Sequence, residues 1–330
     1  YEGPPFPTGK PHHGTVLVSF IKDMIARYWT MRGYRVPRVW GWDCHGLPIE
    51  NQAETLLGIN DKNEIEKNLG IDRFNEKCFE IVSNNNESWK EYVEQMARWV
   101  DYDGAYKTMN VDFMESVMWA FKQCYDKGYI YRDYRVTPYC MHCETSLSIS
   151  DTRESDSTRL RQDRWIIVRF KTQEVMEGKQ VYFLAWTTTP WTLPSNVCLA
   201  VGEKLDYAYV HVGDAVYVAC KNTLANYEKV FGKDPIIEKE CKGHDLLGKT
   251  YEPLFDYFAD RKSDGAFRVV SAEYVGSDEG VGIVHTAPAF GEDDYWTCKN
   301  NGIPLVNPVD DKGHFTQKLK VFFYSAMQKN

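Results

Sequence analysis

At about residue 160 the chain changes texture. Beyond it, "WIIVRF", "QVYFLAW", "YAYVHV", "AVYVAC", "FRVVSAEYV" and "VGIVHTA" are short runs rich in β-branched and aromatic residues. Such runs fit pleated, half-buried strands. Two of them, 207–212 and 215–220, are separated only by Gly213 and Asp214, a two-residue hairpin signal. Before the change the periods are helical. In residues 16–32, Val16, Leu17, Phe20, Ile21, Met24, Ile25, Tyr28 and Trp29 recur at i, i+1, i+4 and gather on one broad face, with Lys22, Asp23 and Arg27 opposite. Gly33 is placed to end that helix. "YRVPRVWGWDCHGLP" then predicts a short extended segment and a turn, and helical patterns return over 87–99 and 112–127. Strand and helix alternating in this way is the rhythm of an α/β domain. The expectation is an α/β domain over 1–150, a charged linker near 152–163 opening a β-rich domain over 151–318, and an unmatched tail at 319–330.

With 330 residues, 43% of them hydrophobic and 14% aromatic, the chain has material for two sizeable cores and is far from a disordered composition. Its formal net charge of −8 gives no overall attraction for nucleic acid, so such a partner needs local basic patches or parts not present here. Nine cysteines, an odd number scattered along the length, fit reduced thiols and a cytoplasmic setting rather than a disulfide framework. No apolar run approaches the roughly 18 residues of a membrane helix. The chain begins at Tyr1 and ends on the apolar run "KLKVFFYSAMQKN", which suggests a fragment.

Two stretches of the first half carry chemistry. In "GPPFPTGKPHHGT", His12, His13, Gly14 and Thr15 stand at the mouth of the first helix. A helix start offers unpaired backbone N–H groups and a positive dipole end, and imidazole and hydroxyl donors beside it suit a phosphate. Taken alone, the stretch suits a surface loop better than a phosphate site. In "GWDCHGLPIE", Asp43 and His45 lie between glycines at the predicted end of a strand, where open α/β sheets keep their ligands. Asp43 could take an ammonium group or cap a turn. Cys44 and His45 are chain neighbours on an extended segment, so they point to opposite sides and do not form a thiolate dyad.

Together the two stretches resemble the isoleucyl branch of the class I aminoacyl-tRNA synthetases. The family's P-H-x-G-H signature opens a helix of a Rossmann-type domain, and W-D-C/T-H-G-L-P marks the isoleucyl branch. The resemblance implies ATP and Mg2+ as cosubstrates, with His12, Gly14 and Thr15 contacting ATP and His13 the variable position. It implies that Gly3, Pro4, Asp43 and His45 surround the isoleucine, with Asp43 on its ammonium. One departure stands out: Thr15 occupies the place of the signature's second histidine.

The second half offers two further clusters. "AWTTTPWTLPSN" puts Thr187, Thr188, Thr189, Thr192 and Asn196 on one segment leaving a strand. Hydroxyls and amides at that density can position a water and an ester without a strong base, and they also suit an ordinary strand-edge loop. "GIVHTAPAFGEDDYW" places His285 after a strand, followed by Glu292, Asp293 and Asp294; alone, His285 also suits a core histidine. Both stretches resemble the family's editing (connective peptide) domain. The resemblance implies that they face each other across a hydrolytic pocket, that Asp294 anchors the ammonium of a mischarged aminoacyl group, and that His285 narrows the pocket against the cognate side chain. Physics makes such a site necessary. Isoleucine against valine is itself the stock example of a one-methylene difference, worth only ~1–3 kcal/mol in an apolar pocket.

Cys140 and Cys143 form a C-x-x-C pair, two of the four ligands of a structural zinc. The resemblance implies a second pair further along the whole protein; His142 is a poor third ligand, and no thioredoxin-like context supports a redox dithiol. No K-M-S-K-S-like loop occurs in the 330 residues, and the resemblance runs from Tyr1 to about Thr316. It implies an isoleucine–tRNA ligase with Val-tRNA(Ile) hydrolysis, monomeric, with tRNA(Ile), isoleucine and ATP as partners. This stretch would be confined to editing. A free-standing aminoacyl-tRNA hydrolase and a non-catalytic tRNA-binding module are the rival readings.

Overall fold

The computed structural model describes residues 4–84, 86–153, 157–278, 280–316 and 319. Gly3, part of the linker and all but one residue of the expected tail lie outside the described residues. The chain divides into two compact units, 1–132 and 133–330. The division falls earlier than the expected boundary at 150, and the reason is local. Asp133 accepts from the Tyr295 hydroxyl at 3.1 Å and pairs with Lys299, and Lys312 lies 3.8 Å from Glu144, so segment 133–150 packs with the later residues.

The first unit alternates helix and strand as the periodicity predicts. Helix α1 (His13–Met31) ends at the Arg32 cap, and Gly33 follows with φ +86. Strand β1 (Val39–Trp42), α2 (Leu47–Leu57), α3 (Ile71–Asn84) and α4 (Asn86–Gln95) lead to β2 (Asp101–Lys107), which pairs with β1 in parallel, and then to α5 (Val111–Asp126). Helix α4 stops short of the expected 99; Ala97 takes a positive φ there, which ends the helical path. Trp40, Trp42 and Trp89 form the core, with edge-on or tilted rings 5.3–6.0 Å apart and Ile49 and Val93 against them.

The apolar stripe of α1 does not face this core. Leu17, Phe20, Met24 and Ile25 are exposed, and the buried residue of the helix is Ser19. The polar side is the anchored one: Asp23 accepts from the Trp99 N–H at 3.0 Å, and the Arg27 guanidinium lies 4.1 Å from the Trp99 ring centroid. Val117, Met118, Trp119 and Phe121 of α5 are exposed in the same way.

The second unit is β-rich, as expected. A short hairpin, β3 (Tyr139–Cys140) and β4 (Thr145–Ser146), carries the C-x-x-C pair. Five further strands, β5 (Ile166–Met176), β6 (Lys179–Thr187), β8 (Asp206–Val212), β9 (Ala215–Cys220) and β10 (Ile236–Lys242), form a sheet of order β10-β8-β9-β6-β5. Strand β7 (Cys198–Val201) lies centrally between β11 (Arg268–Ser271) and β12 (Ile283–Thr286), and the short α6 (Glu228–Phe231) and α7 (Glu292–Asn300) complete the unit. Val212 pairs with Ala215 across Gly213, whose φ of +63 supplies the turn expected there. The core gathers Phe170, Phe183, Tyr207, Leu199, Tyr251 and Phe267, all at most 2% exposed. Burying each contributes ~1.5–3 kcal/mol or more, which fixes the strands that hold the second site.

Candidate functional site

In the first unit the structure ties the opening segment to the end of β1. The Asp43 N–H donates to the Pro5 carbonyl at 3.0 Å, Trp89 Nε1 donates to the Gly9 carbonyl at 2.8 Å, and the Cys44 N–H donates to the Thr108 hydroxyl at 2.8 Å. Pro4 and Asp43 are thereby held together at the C-terminal end of a parallel strand, where an α/β sheet binds its ligand. Among the described residues no side chain pairs with the Asp43 carboxylate, and His45 is exposed. Sequence order alone left Asp43 open as a turn cap; its backbone, rather than its carboxylate, makes the local bond.

His12 is the N-cap of α1. Its Nδ1 accepts the Gly14 N–H at 3.1 Å, and the Thr15 hydroxyl accepts the His12 N–H at 3.3 Å. With Nδ1 accepting, a neutral ring carries its proton on Nε2, which leaves a donor for an anion. A Cβ on Gly14 would sit 3.0 Å from His12 Cε1 and 3.2 Å from Nδ1, so any larger residue crowds the folded-back imidazole and the ring must shift by a few tenths of an ångström. Thr15, the departure from the signature, therefore has a structural task. Thr15→Ala should cost ~1 kcal/mol in the first turn of α1, read as faster amide exchange there.

The second unit brings the threonine segment and the His285 strand together. Segment Pro190–Ser195 is a tight helical turn leading into β7, and β12 pairs antiparallel with β7, His285 opposite Leu199. The Thr192 hydroxyl donates to the Thr189 carbonyl at 2.9 Å, so at its 2.9 Å contact with His285 Nε2 it accepts. The imidazole Nδ1 is then an unprotonated acceptor, buried and without a partner among the described residues. The Thr189 N–H donates to the Thr187 hydroxyl at 3.1 Å, and their two hydroxyls lie 3.3 Å apart; Thr188 is exposed beside them. Asp294, in the first turn of α7, accepts the Ala287 N–H at 2.9 Å. Trp191, Pro288, Ala289, Phe290 and Tyr295, chain neighbours of these groups, line a cavity of about 830 Å3. A smaller cavity of about 590 Å3 beside Trp29, Arg38 and Trp99 touches none of the expected site residues.

Asn196 does not join them. Its amide N–H donates to the Cys198 carbonyl at 2.9 Å and its oxygen accepts from the Tyr251 hydroxyl at 2.6 Å, with the residue 5% exposed. Both ends bond within the core, where the side chain braces β7. Tyr274 is a neighbour that sequence reading did not single out: its hydroxyl lies near Asp294 and draws that carboxyl's pKa down against burial. A tyrosine inside a β-branched run gave no signal of this.

Burial drives the electrostatics. It pushes the His285 imidazole down to about 4 and the Asp294 carboxyl up to about 6, the latter held back by the Ala287 N–H and Tyr274. No cation pairs with Asp294 among the described residues. An unfolded histidine titrates near ~6.5, so the stability owed to neutral His285 is whole above that pH and is lost toward pH 4, by ~2–3 kcal/mol. The stability difference between the parent and His285→Gln, from urea midpoints, should shrink by that amount between pH 6.5 and 4.

The Cys143 N–H donates to Cys140 Sγ at 3.4 Å across the tight turn of the hairpin. The two sulfurs suit half of a tetrahedral zinc site, but among the described residues no histidine, cysteine or carboxylate joins them as a third donor. All nine cysteines are thiols.

The family described as tRNA synthetases class I (I, L, M and V) matches residues 1–279. The chain belongs to the class I tRNA synthetases. Among curated members of this class, the isoleucine–tRNA ligase of Corynebacterium diphtheriae is 49% identical over 96% of the chain and 31% of that protein. The isoleucine–tRNA ligase of Rickettsia typhi is 46% identical over 97% of the chain and 31% of that protein. The chain thus spans about 31% of the length of the curated synthetases it matches. Among solved structures, the P.knowlesi cytosolic leucyl-tRNA synthetase editing domain is 16% identical with a TM-score of 0.33, covering 40% of this chain and 60% of that one. The mixed α/β architecture is that of a class I synthetase, and no described helix is long and apolar enough to cross a membrane.

Proposed function

We propose that the chain is part of an isoleucine–tRNA ligase that activates isoleucine with ATP and Mg2+, transfers it to tRNA(Ile) and hydrolyses Val-tRNA(Ile). Within it, residues 1–150 bear the nucleotide and isoleucine contacts and residues 151–318 the editing reaction. His12 Nε2 and the start of α1 would meet the nucleotide phosphates, with Gly14 and Thr15 keeping His12 in place. Gly3, Pro4, Asp43 and His45 would surround isoleucine, Asp43 taking the ammonium. The enzyme acts as a monomer in the cytoplasm, a setting in keeping with nine thiols. Cys140 and Cys143 would supply two ligands of a zinc ion in the whole protein.

The observation that supports the editing reading is Asp294: a mostly buried carboxyl with no cation beside it among the described residues, bonded to Ala287, two residues beyond the His285 that contacts Thr192. The ammonium of an aminoacyl ester supplies the missing charge. His285, titrating at about 4, is a poor base at neutral pH, so its part is steric and the nucleophilic water is held by Thr187, Thr188 and Thr189. We name no protein general base; the terminal tRNA hydroxyl is the nearest candidate. The test is incubation of this chain with Val-tRNA(Ile) and Ile-tRNA(Ile). Hydrolysis of the first alone is expected; equal hydrolysis of both, or none, overturns the reading.

A further inference from the structure

We propose a divalent-cation site at Glu177, His211 and Glu238, formed by none of the residues assigned above. Three separate elements deliver these side chains. Glu177 and Gly178 are the two-residue turn joining β5 to β6, since Met176 pairs with Lys179. His211 lies in β8, opposite Val216 of β9 and Ile236 of β10. Glu238 is the extra residue of β10: Ile237 pairs with Val210 and Lys239 with Tyr209, so Glu238 has no opposite number and its side chain is re-aimed. Lys179 Nζ donates to the Gly213 carbonyl at 3.0 Å and ties the turn to the end of β8.

One ligand atom from each residue lies within 4.8 Å of the other two. His211 Nε2 is 3.0 Å from Glu238 Oε2 and 3.6 Å from Glu177 Oε2. Ligands bound at ~2.0–2.2 Å in a tetrahedral shell sit ~3.3–3.6 Å apart, so small side-chain rotations complete the fit. The imidazole is the fixed member. Its side chain is 10% exposed, against 63% for Glu177 and 31% for Glu238. Its Nδ1 is buried and unpaired, and its partners among the described residues are these two carboxylates.

An ordinary histidine ion pair needs one carboxylate; here two converge on one nitrogen, and no lysine or arginine pairs with either among the described residues. With His211 neutral the cluster carries two negative charges, which a divalent ion balances. One imidazole and two carboxylates suit Zn2+ or a neighbour of similar hardness, with a fourth position open to water. Bound, the ion would join the β5–β6 turn to β8 and the edge strand β10.

The experiment uses the full chain carrying Cys140→Ser and Cys143→Ser, so that thiolates do not compete, and Zn2+ alone as probe against a chromophoric chelator. One equivalent should bind and raise the melting temperature. His211→Asn and Glu238→Gln should each weaken binding at least ~10-fold and remove the thermal shift. Glu177→Gln, on an exposed turn, keeps the test open if the strand variants fail to fold. No zinc bound at micromolar concentration, or affinity unchanged in Glu177→Gln, overturns the site.

Discussion

Asp294→Asn should abolish deacylation and at the same time stabilise the second unit. The two effects have one cause. The Asp294 carboxyl is mostly buried and titrates at about 6, so at neutral pH the fold carries a charge that burial opposes. Asparagine keeps an oxygen to accept the Ala287 N–H and removes the charge. A gain of ~1–2 kcal/mol at pH 7.5 follows, seen as a raised urea midpoint. The gain has a pH signature. A carboxyl with a raised native pKa contributes its stability below ~4 and loses it as pH rises through 6, so the variant's advantage vanishes below pH 4. Deacylation moves the other way. Losing one partner of a desolvated charge pair costs ~2–5 kcal/mol, a drop of ~10²-fold or more in kcat/KM for Val-tRNA(Ile). A variant that is neither more stable at pH 7.5 nor slower would remove Asp294 from the site.

Asn196→Ala should act on stability alone. It strands the Tyr251 hydroxyl, 1% exposed, and the Cys198 carbonyl, and it opens a small void between them. Each buried unpaired group costs ~1–3 kcal/mol, so the second unit should lose ~3–5 kcal/mol in chemical denaturation. Adding Tyr251→Phe should recover part of the loss, because the orphaned hydroxyl goes with it. If Asn196→Ala instead leaves the denaturation midpoint unchanged and slows hydrolysis, Asn196 touches the ester after all.

What could be read from sequence follows the range of the interactions. The α1 period, its Gly33 stop and the Gly213 turn are local, and each is found where predicted. Which side of α1 is anchored is not local: Asp23 depends on Trp99, 76 residues away. The domain boundary moved because Asp133 finds Lys299, which no composition shift near 150 could report. Strand β10 was missed because "IIEKECK" is charged and almost wholly exposed, as suits a sheet edge. In the second site the threonine segment and His285 were legible as residue types. That Asn196 bonds to Tyr251, 55 residues on, and that Tyr274 lies near Asp294 could not be read from the local sequence.

The cap on α1 has a dynamic consequence. His12 begins the helix with Nδ1 and leaves Nε2 for another partner, so an anion taken by that ring would be coupled to the order of a helical turn. A ligand that pulls the ring outward loosens that turn, whereas one that accepts from Nε2–H in place tightens it. At the mouth of α1, occupancy of the ring's outer nitrogen and order of the first helical turn would thus rise or fall together.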